Sequence, residues 1–182
     1  MKQVKGLLLG IALGVATLPT HALPAVGEAP PDSLGVTPKG EEIRISDRRG
    51  KVVVVAFWAS WCGYCRKQLP VLEAIQQAAG RERLEVVLVN FKEPPRTYRE
   101  IVRKLKRATL TLTHDRDGTI SDAYTVDSVP RLFMIDKAGR VGWTHYGYSE
   151  ENLPKIGAAV DRLLAEPWQP EEATPVAASQ GT

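Results

Sequence analysis

The segment that decides the fold is VVVVAFWASWCGYC, residues 52–65. Four consecutive valines favour a pleated backbone, and no polar alternation marks a face exposed to water. Residues 51–58 are therefore predicted to form a strand that is buried on both faces. Apolar residues then recur at helical spacing through residues 62–79. The segment thus predicts a buried strand that leads directly into a helix, with two cysteines at the junction.

The rest of the chain continues this alternation of short apolar runs and amphipathic ones. Strands are predicted over residues 84–91, 132–136 and 141–146, and helices over 97–107 and 150–164. The last two strands form a hairpin, because Gly139 can take the positive φ that a tight turn requires. This order predicts an α/β fold in which a βαβ unit is followed by a ββα unit. The predicted architecture is one mixed central β-sheet flanked by helices.

The N-terminal 22 residues have the layout of a secretory signal peptide. Lys2 and Lys5 precede an uncharged, mainly apolar run of 13 residues, 6–18, and small residues follow near Ala22. A bilayer requires about 20 apolar residues, so this run is short for a permanent span, although an uncleaved anchor remains the alternative. Cleavage predicts a soluble protein in the periplasm or another oxidising, extracytoplasmic compartment.

The remaining chain is predicted to contain one domain. The full sequence of 182 residues is 43% apolar and 25% charged, which suits a single globular unit with extra material at its ends. Residues 23–40 are predicted as a linker or N-terminal extension, 41–165 as the domain and 166–182 as a disordered tail. The formal charge of +3 includes the two leader lysines, so the remainder is close to neutral. This balance argues against a nucleic-acid partner.

Cys62 and Cys65 are the only cysteines, so no disulfide links distant segments. The first turn of a helix presents unpaired N–H groups and the positive end of the helix dipole, which favour a thiolate. We therefore expect Cys62 to have a lowered pKa and to act as the nucleophile. A spacing of three residues places both sulfurs on one helix face, and Cys65, one turn in, is predicted to be the buried resolving thiol.

Three other interpretations of the cysteine pair are weaker. A structural zinc site needs four ligands, and His114 and His145 do not form a second ligand pair. Covalent haem attachment needs histidine directly after the second cysteine, where Arg66 stands. An inert disulfide remains possible, but so short a loop stabilises a fold little. The pattern favours redox chemistry without a metal or another cofactor.

Two motifs carry a resemblance to a known family. Residues 56–70, AFWASWCGYCRKQLP, resemble the active-site segment of thioredoxin-like proteins. They are most similar to the extracytoplasmic TlpA/ResA group, which serves cytochrome maturation and related thiol-reducing tasks. Residues 129–136, VPRLFMID, are similar to the stretch in which these proteins carry a cis-proline facing the disulfide. The resemblance covers roughly residues 35–165 and implies a thioredoxin-like fold.

The resemblance also implies a set of site residues. Cys62 and Cys65 would be catalytic. The residues that would contact the client are Val129, Pro130 and Trp61, and those that would support the site are Gly63, Tyr64, Gln68 and Arg131.

Three positions depart from the family pattern. Ala56 replaces a buried aspartate of cytoplasmic thioredoxins, Gln68 replaces a glutamate of many ResA-like reductases, and Arg131 replaces a frequent threonine. The two carboxylates are credited with handling the proton of the buried thiol. Without them, the proton acceptor for Cys65 is unassigned.

The activity that the resemblance implies is that of an extracytoplasmic thiol-disulfide oxidoreductase. It would reduce disulfides of a client protein, for example in cytochrome c maturation, through a Cys62/Cys65 dithiol-disulfide cycle. A membrane thiol relay would supply the electrons. The alternatives are a disulfide oxidase or isomerase of the periplasm, and a non-catalytic binding module on the same scaffold.

Overall fold

The computed structural model describes residues 23–170. The predicted signal peptide, 1–22, and residues 171–182 of the predicted tail lie outside that range. The strands are β1 Ser33–Val36, β2 Glu42–Arg44, β3 Val52–Trp58, β4 Leu84–Phe91, β5 Thr111–Asp115, β6 Arg131–Ile135 and β7 Val141–Tyr146. The α-helices are α1 Gly63–Ala79, α2 Pro95–Lys104, α3 Thr119–Ala123 and α4 Leu153–Ala165.

A five-stranded mixed sheet forms the centre of the fold. Its strand order is β5-β4-β3-β6-β7, with β3 parallel to β4 and β4 parallel to β5. The other half is antiparallel, since β6 pairs with β3 and β7 pairs with β6. All seven residues of β3 are buried, as expected for a strand covered on both faces. The predicted mixed α/β sheet flanked by helices is confirmed.

Alternate side chains of β3 enter two separate cores, one on each face of the sheet. On one face, Trp58 and the cysteines pack with Leu72 of α1 and Ile156 of α4. On the other face, Phe57 packs with residues of β6 and with Tyr124. Because α1 is fixed to the sheet by its buried side chains, its first turn lies where β3 ends.

Strand β5 and helix α3 are absent from the predicted element order. The residues of β5 that face inward are polar: Thr111, Thr113 and Asp115 are all buried. Hydrogen bonds compensate this burial at two of them. Thr111 Oγ1 donates to Glu85 Oε1 at 2.6 Å, and the Asp115 carboxylate accepts two backbone N–H bonds from α3. The apolar alternation that indicates a strand is therefore missing, and α3 is too short to show a helical period.

The N-terminal segment differs from the predicted linker. Within residues 23–40, β1 pairs with β2 in a two-stranded antiparallel sheet, and Leu34 is fully buried in the core beside Phe57. Further along, Gly27 N donates to the carbonyl of Val141 at 2.7 Å. One buried leucine among many Pro, Gly and small residues gives too weak a periodicity to predict this strand.

Helix boundaries shift where proline or a tight turn intervenes. Helix α2 begins two residues earlier than predicted, because Pro95 suits the first turn, where an N–H has no helical partner. It ends at Lys104 rather than at 107. The last predicted helix opens as a 3₁₀ turn, Glu150–Asn152, before α4. Within residues 23–170, no helix combines the length and the apolar character needed to cross a membrane.

Candidate active site

The cysteine pair lies at the junction of β3 and α1. Cys62 N donates to Ala59 O at 3.1 Å, which closes a turn between the two elements. Cys62 is the N-cap of α1, with extended backbone angles, and its Sγ accepts a hydrogen bond from Cys65 N at 3.0 Å. The sulfur therefore occupies the position at which the helix offers a free N–H group and the positive end of its dipole.

The two cysteines form a disulfide, so the structure represents the oxidised protein. Their Cα atoms are 5.2 Å apart, within the range that disulfides span without movement of the backbone. Cys65 is 1% exposed, and its predicted burial is confirmed. Cys62 is 6% exposed, so a partner at the surface reaches Cys62 before Cys65.

A loop from the other half of the sheet faces the disulfide. The Val129–Pro130 peptide bond is cis, as the resemblance predicts. The carbonyl oxygen of Val129 lies 3.8 Å from Cys62 Sγ. The carbonyl oxygen of Pro130 accepts a hydrogen bond from Gly147 N at 2.9 Å, which ties this loop to the end of β7. The loop thus places main-chain polar groups beside the sulfur that a partner reaches first.

Aromatic side chains are exposed around the pair. Trp61 is 64% exposed and Tyr64 is 62% exposed, whereas Trp58 packs in the core with the cysteines. Tyr146 is also exposed and lies opposite Arg131, the residue after the cis-proline. Exposed aromatic side chains of this kind favour contact with another molecule. Trp61 directly precedes Cys62 and Tyr64 follows it by two residues, so the chain places exposed aromatic surface next to the cysteine pair.

Gln68 lies one turn after Cys65 on the same face of α1. It is buried, and its Nε2 has no hydrogen-bond partner within the part of the chain that the structure describes. An amide does not take up a proton as a carboxylate does. Gln68 consequently does not fill the role that a glutamate at this position is credited with.

Replacing Gln68 with glutamate is expected to raise the pKa of the active-site thiols. A buried negative charge one turn from Cys65 disfavours the thiolate. Thiol titration curves of the reduced Gln68→Glu and wild-type proteins measure this shift. Gln77→Glu, at an exposed position of the same helix, is the matched control and should leave the curve unchanged. Superimposable curves for wild type and Gln68→Glu would contradict the expectation.

The side chain of Arg131 is directed toward the core that contains Phe57 and Phe133. Its guanidinium lies 5.3 Å from the ring centroid of Phe133, which packs on the face of the sheet opposite the cysteines. Burial lowers the pKa of Arg131, while the charges of Asp127 and Tyr146 act in the opposite direction. Arg131 thus follows the cis-proline in the chain, but its cation packs against the ring of Phe133.

Glu93 is a site residue that the sequence patterns did not single out. It is 4% exposed. Its Oε2 accepts hydrogen bonds from Ser60 N at 2.8 Å and Asn90 Nδ2 at 2.6 Å, and its Oε1 accepts from the Ser60 hydroxyl. One signal could have found it. Glu93 follows β4 as Cys62 follows β3, and parallel neighbouring strands end at the same edge of a sheet.

The comparisons with known proteins agree with this geometry. The family model described as Redoxin matches residues 25–160. ResA, a thiol-disulfide oxidoreductase of Geobacillus kaustophilus, is 33% identical over 117 residues, which cover 64% of this chain and 67% of that protein. The thiol:disulfide interchange protein HelX of Rhodobacter capsulatus is 31% identical over 141 residues, or 76% of each chain.

A solved structure shows the same architecture. The crystal structure of a protein assigned as the thiol:disulfide interchange protein DsbE, from Chlorobium tepidum, superposes with a TM-score of 0.68 and 28% identity. The match covers 78% of this chain and 99% of that one. The chain thus belongs to the Redoxin family and is a thiol-disulfide oxidoreductase of the TlpA/ResA type, with a thioredoxin-like fold.

Proposed function

We propose that this protein reduces a disulfide of a client protein in an extracytoplasmic compartment, with Cys62 as the attacking thiolate and Cys65 as the resolving thiol. The observation that carries the assignment of roles is the position of Cys62. It is the more exposed cysteine, its Sγ caps α1 at 3.0 Å from Cys65 N, and Val129 O lies beside it. A thiolate at a helix N-terminus is stabilised and accessible to attack a partner.

The proposed cycle moves two electrons to the client. The Cys62 thiolate attacks one sulfur of the client disulfide, which breaks that bond, forms a mixed disulfide and releases a client thiolate that takes up a proton. Cys65, as thiolate, then attacks Cys62 Sγ. This step releases the second client thiolate, which is protonated in turn, and leaves the Cys62–Cys65 disulfide. A membrane thiol relay returns two electrons and two protons to the pair.

The same geometry supports a proposed set of contacts with an extended client segment. Val129 and Pro130 offer main-chain groups at the cis-proline loop, and Trp61 offers an exposed aromatic surface next to Cys62. Gly63 and Tyr64 lie in the first turn of α1. Main-chain hydrogen bonds and apolar contact suit clients of varied sequence.

The extracytoplasmic location is proposed from the signal-peptide layout of residues 1–22. Such a compartment is oxidising, so a reductase there depends on a dedicated electron supply. Cytochrome c maturation is the assembly process that the TlpA/ResA resemblance favours. The protein would be soluble after cleavage of the leader.

The reduction potential of the Cys62–Cys65 couple tests the direction of electron flow. We expect a value well below the roughly −180 mV that is typical of disulfide isomerases. Equilibration of the purified protein with glutathione or dithiothreitol buffers measures it. A reduction potential of about −120 mV, which is typical of strong oxidants, would contradict the proposed reductase and support the disulfide oxidase.

A further inference from the structure

Glu93 is a buried carboxylate without a cationic partner. Among the side chains of residues 23–170, no lysine, arginine or histidine forms an ion pair with it. The three hydrogen bonds to its carboxylate oxygens come from Ser60 and Asn90. Burying a carboxylate is unfavourable unless hydrogen bonds compensate it. Two of these three hydrogen bonds hold Ser60 in place.

Ser60 begins the turn that carries Cys62. Its N–H and its hydroxyl both donate to the Glu93 carboxylate, and its carbonyl oxygen accepts from Arg66 Nη1 at 2.7 Å. Every polar group of Ser60 is thus engaged. Trp61 and Cys62 follow it directly, so the position of Ser60 determines where the chain enters α1.

Glu93 is itself firmly held. Its carbonyl oxygen is 2.8 Å from His114 Nε2, and the His114 ring stacks on Tyr98 with ring centroids 4.2 Å apart. Tyr98 is a buried residue of α2, and His114 lies opposite Asn90 in the β4–β5 register. Contacts from β5 and α2 therefore fix the main chain of Glu93, whose carboxylate holds the active-site turn.

We propose that Glu93 is the positioning residue of the active site: by holding Ser60 it keeps Cys62 Sγ at the N-terminus of α1 and opposite Val129 O. This inference rests on the proposed role of Cys62 as the attacking thiol. Glu93 acts through Ser60 and exchanges no proton or electron in the cycle.

Two substitutions at residue 93 distinguish the effect of the position of Cys62 from the effect of the charge of Glu93. Glutamine at residue 93 can reproduce it, because its oxygen accepts from Ser60 N and Asn90 Nδ2 while its amide donates to the freely rotating Ser60 hydroxyl. Glu93→Gln thus removes the charge and keeps the turn, whereas Glu93→Ala removes both. Loss of a nearby negative charge alone lowers the pKa of a thiol. Displacement of the sulfur from the helix end raises it.

The test uses the reduced full-length protein and two readouts. The first is the pH profile of Cys62 alkylation by iodoacetamide, and the second is the rate of reduction of a model protein disulfide. For Glu93→Ala we expect a raised apparent pKa of Cys62 and a disulfide reduction about tenfold slower. For Glu93→Gln we expect a pKa that is not raised and a rate within about threefold of wild type.

Glu85→Ala is the matched control. Glu85 is also 4% exposed and lies at the opposite end of β4, where it pairs with Arg48 and Arg81. Removing it should destabilise the fold and leave both readouts unchanged in the folded protein. If Glu93→Ala does not fold, Ser60→Ala is tested in its place. This variant removes the hydrogen bond from the Ser60 hydroxyl to Glu93 and should also raise the apparent pKa of Cys62.

Three outcomes overturn the proposal: a Glu93→Ala protein that behaves as Glu85→Ala does, a Glu93→Gln protein as impaired as Glu93→Ala, or an unshifted pKa in Ser60→Ala. Failure of the proposed function looks different. Wild type would then reduce no disulfide, while the alkylation profiles would still report whether Glu93 positions Cys62.

Discussion

Replacing Cys62 with serine is expected to slow the thiol-driven reduction of a disulfide-bearing protein by at least about a thousandfold. A serine hydroxyl at neutral pH is neither ionised nor able to form the mixed disulfide, so the first step of the cycle has no nucleophile. The measurement is the initial rate of reduction of a model protein disulfide, with dithiothreitol as the electron source and the uncatalysed rate subtracted.

Cys65→Ser is the informative partner variant. It keeps the attacking thiol and removes the resolving one, so a mixed disulfide with the client should accumulate as a covalent complex that reductant dissolves. When this complex is recovered from the native cell envelope, the protein bound to Cys62 is the client. A Cys62→Ser protein that still reduces the model disulfide would contradict the role of Cys62 as the nucleophile. A wild-type protein that reduces no disulfide, together with a Cys65→Ser protein that captures no client, would favour a non-catalytic binding module.

Phe57→Ala is expected to lower the free energy of unfolding by about 3–5 kcal/mol. Phe57 is fully buried on β3, and its ring centroid lies 5.3 Å from that of Tyr124 and 6.0 Å from that of Phe133. Truncation leaves a cavity beside the two remaining rings, those of Tyr124 and Phe133. It cannot collapse far, because both residues belong to the tightly packed core on that face of the sheet. Denaturant unfolding of the oxidised protein measures the loss.

Tyr64→Ala is the control for aromatic truncation at the surface. Tyr64 is mostly exposed, so its removal should change the free energy of unfolding by no more than about 0.5 kcal/mol. Equal losses for the two variants would mean that Phe57 contributes no more to the core than a surface aromatic does.

Local features allowed the central motif to be predicted from sequence. Four valines and the absence of polar alternation indicate β3, and the helical spacing after Cys62 indicates α1. The cis-proline at Pro130 came from the resemblance of a short motif. Each of these signals lies within a few residues of the feature it predicts, so no long-range information was needed.

Strand β5 and the role of Glu93 escaped prediction because they depend on long-range hydrogen bonds. Strand β5 buries Thr111, whose hydroxyl donates to Glu85 on the neighbouring strand β4. Glu93 is 33 residues from Ser60, and only the prediction that β3 and β4 are parallel neighbours would distinguish it from a solvated glutamate after a strand. Polar residues buried by tertiary contacts do not follow the apolar periodicities from which secondary structure is inferred.

The most direct test is the ionisation of Cys62 in the reduced protein, followed as its alkylation rate against pH. The helix N-terminus and the Cys65 N–H group, 3.0 Å from Cys62 Sγ in the oxidised structure, should place its apparent pKa clearly below the value of about 8.5 of a free cysteine. An apparent pKa at or above about 8.5 would contradict the assignment of Cys62 as the activated nucleophile.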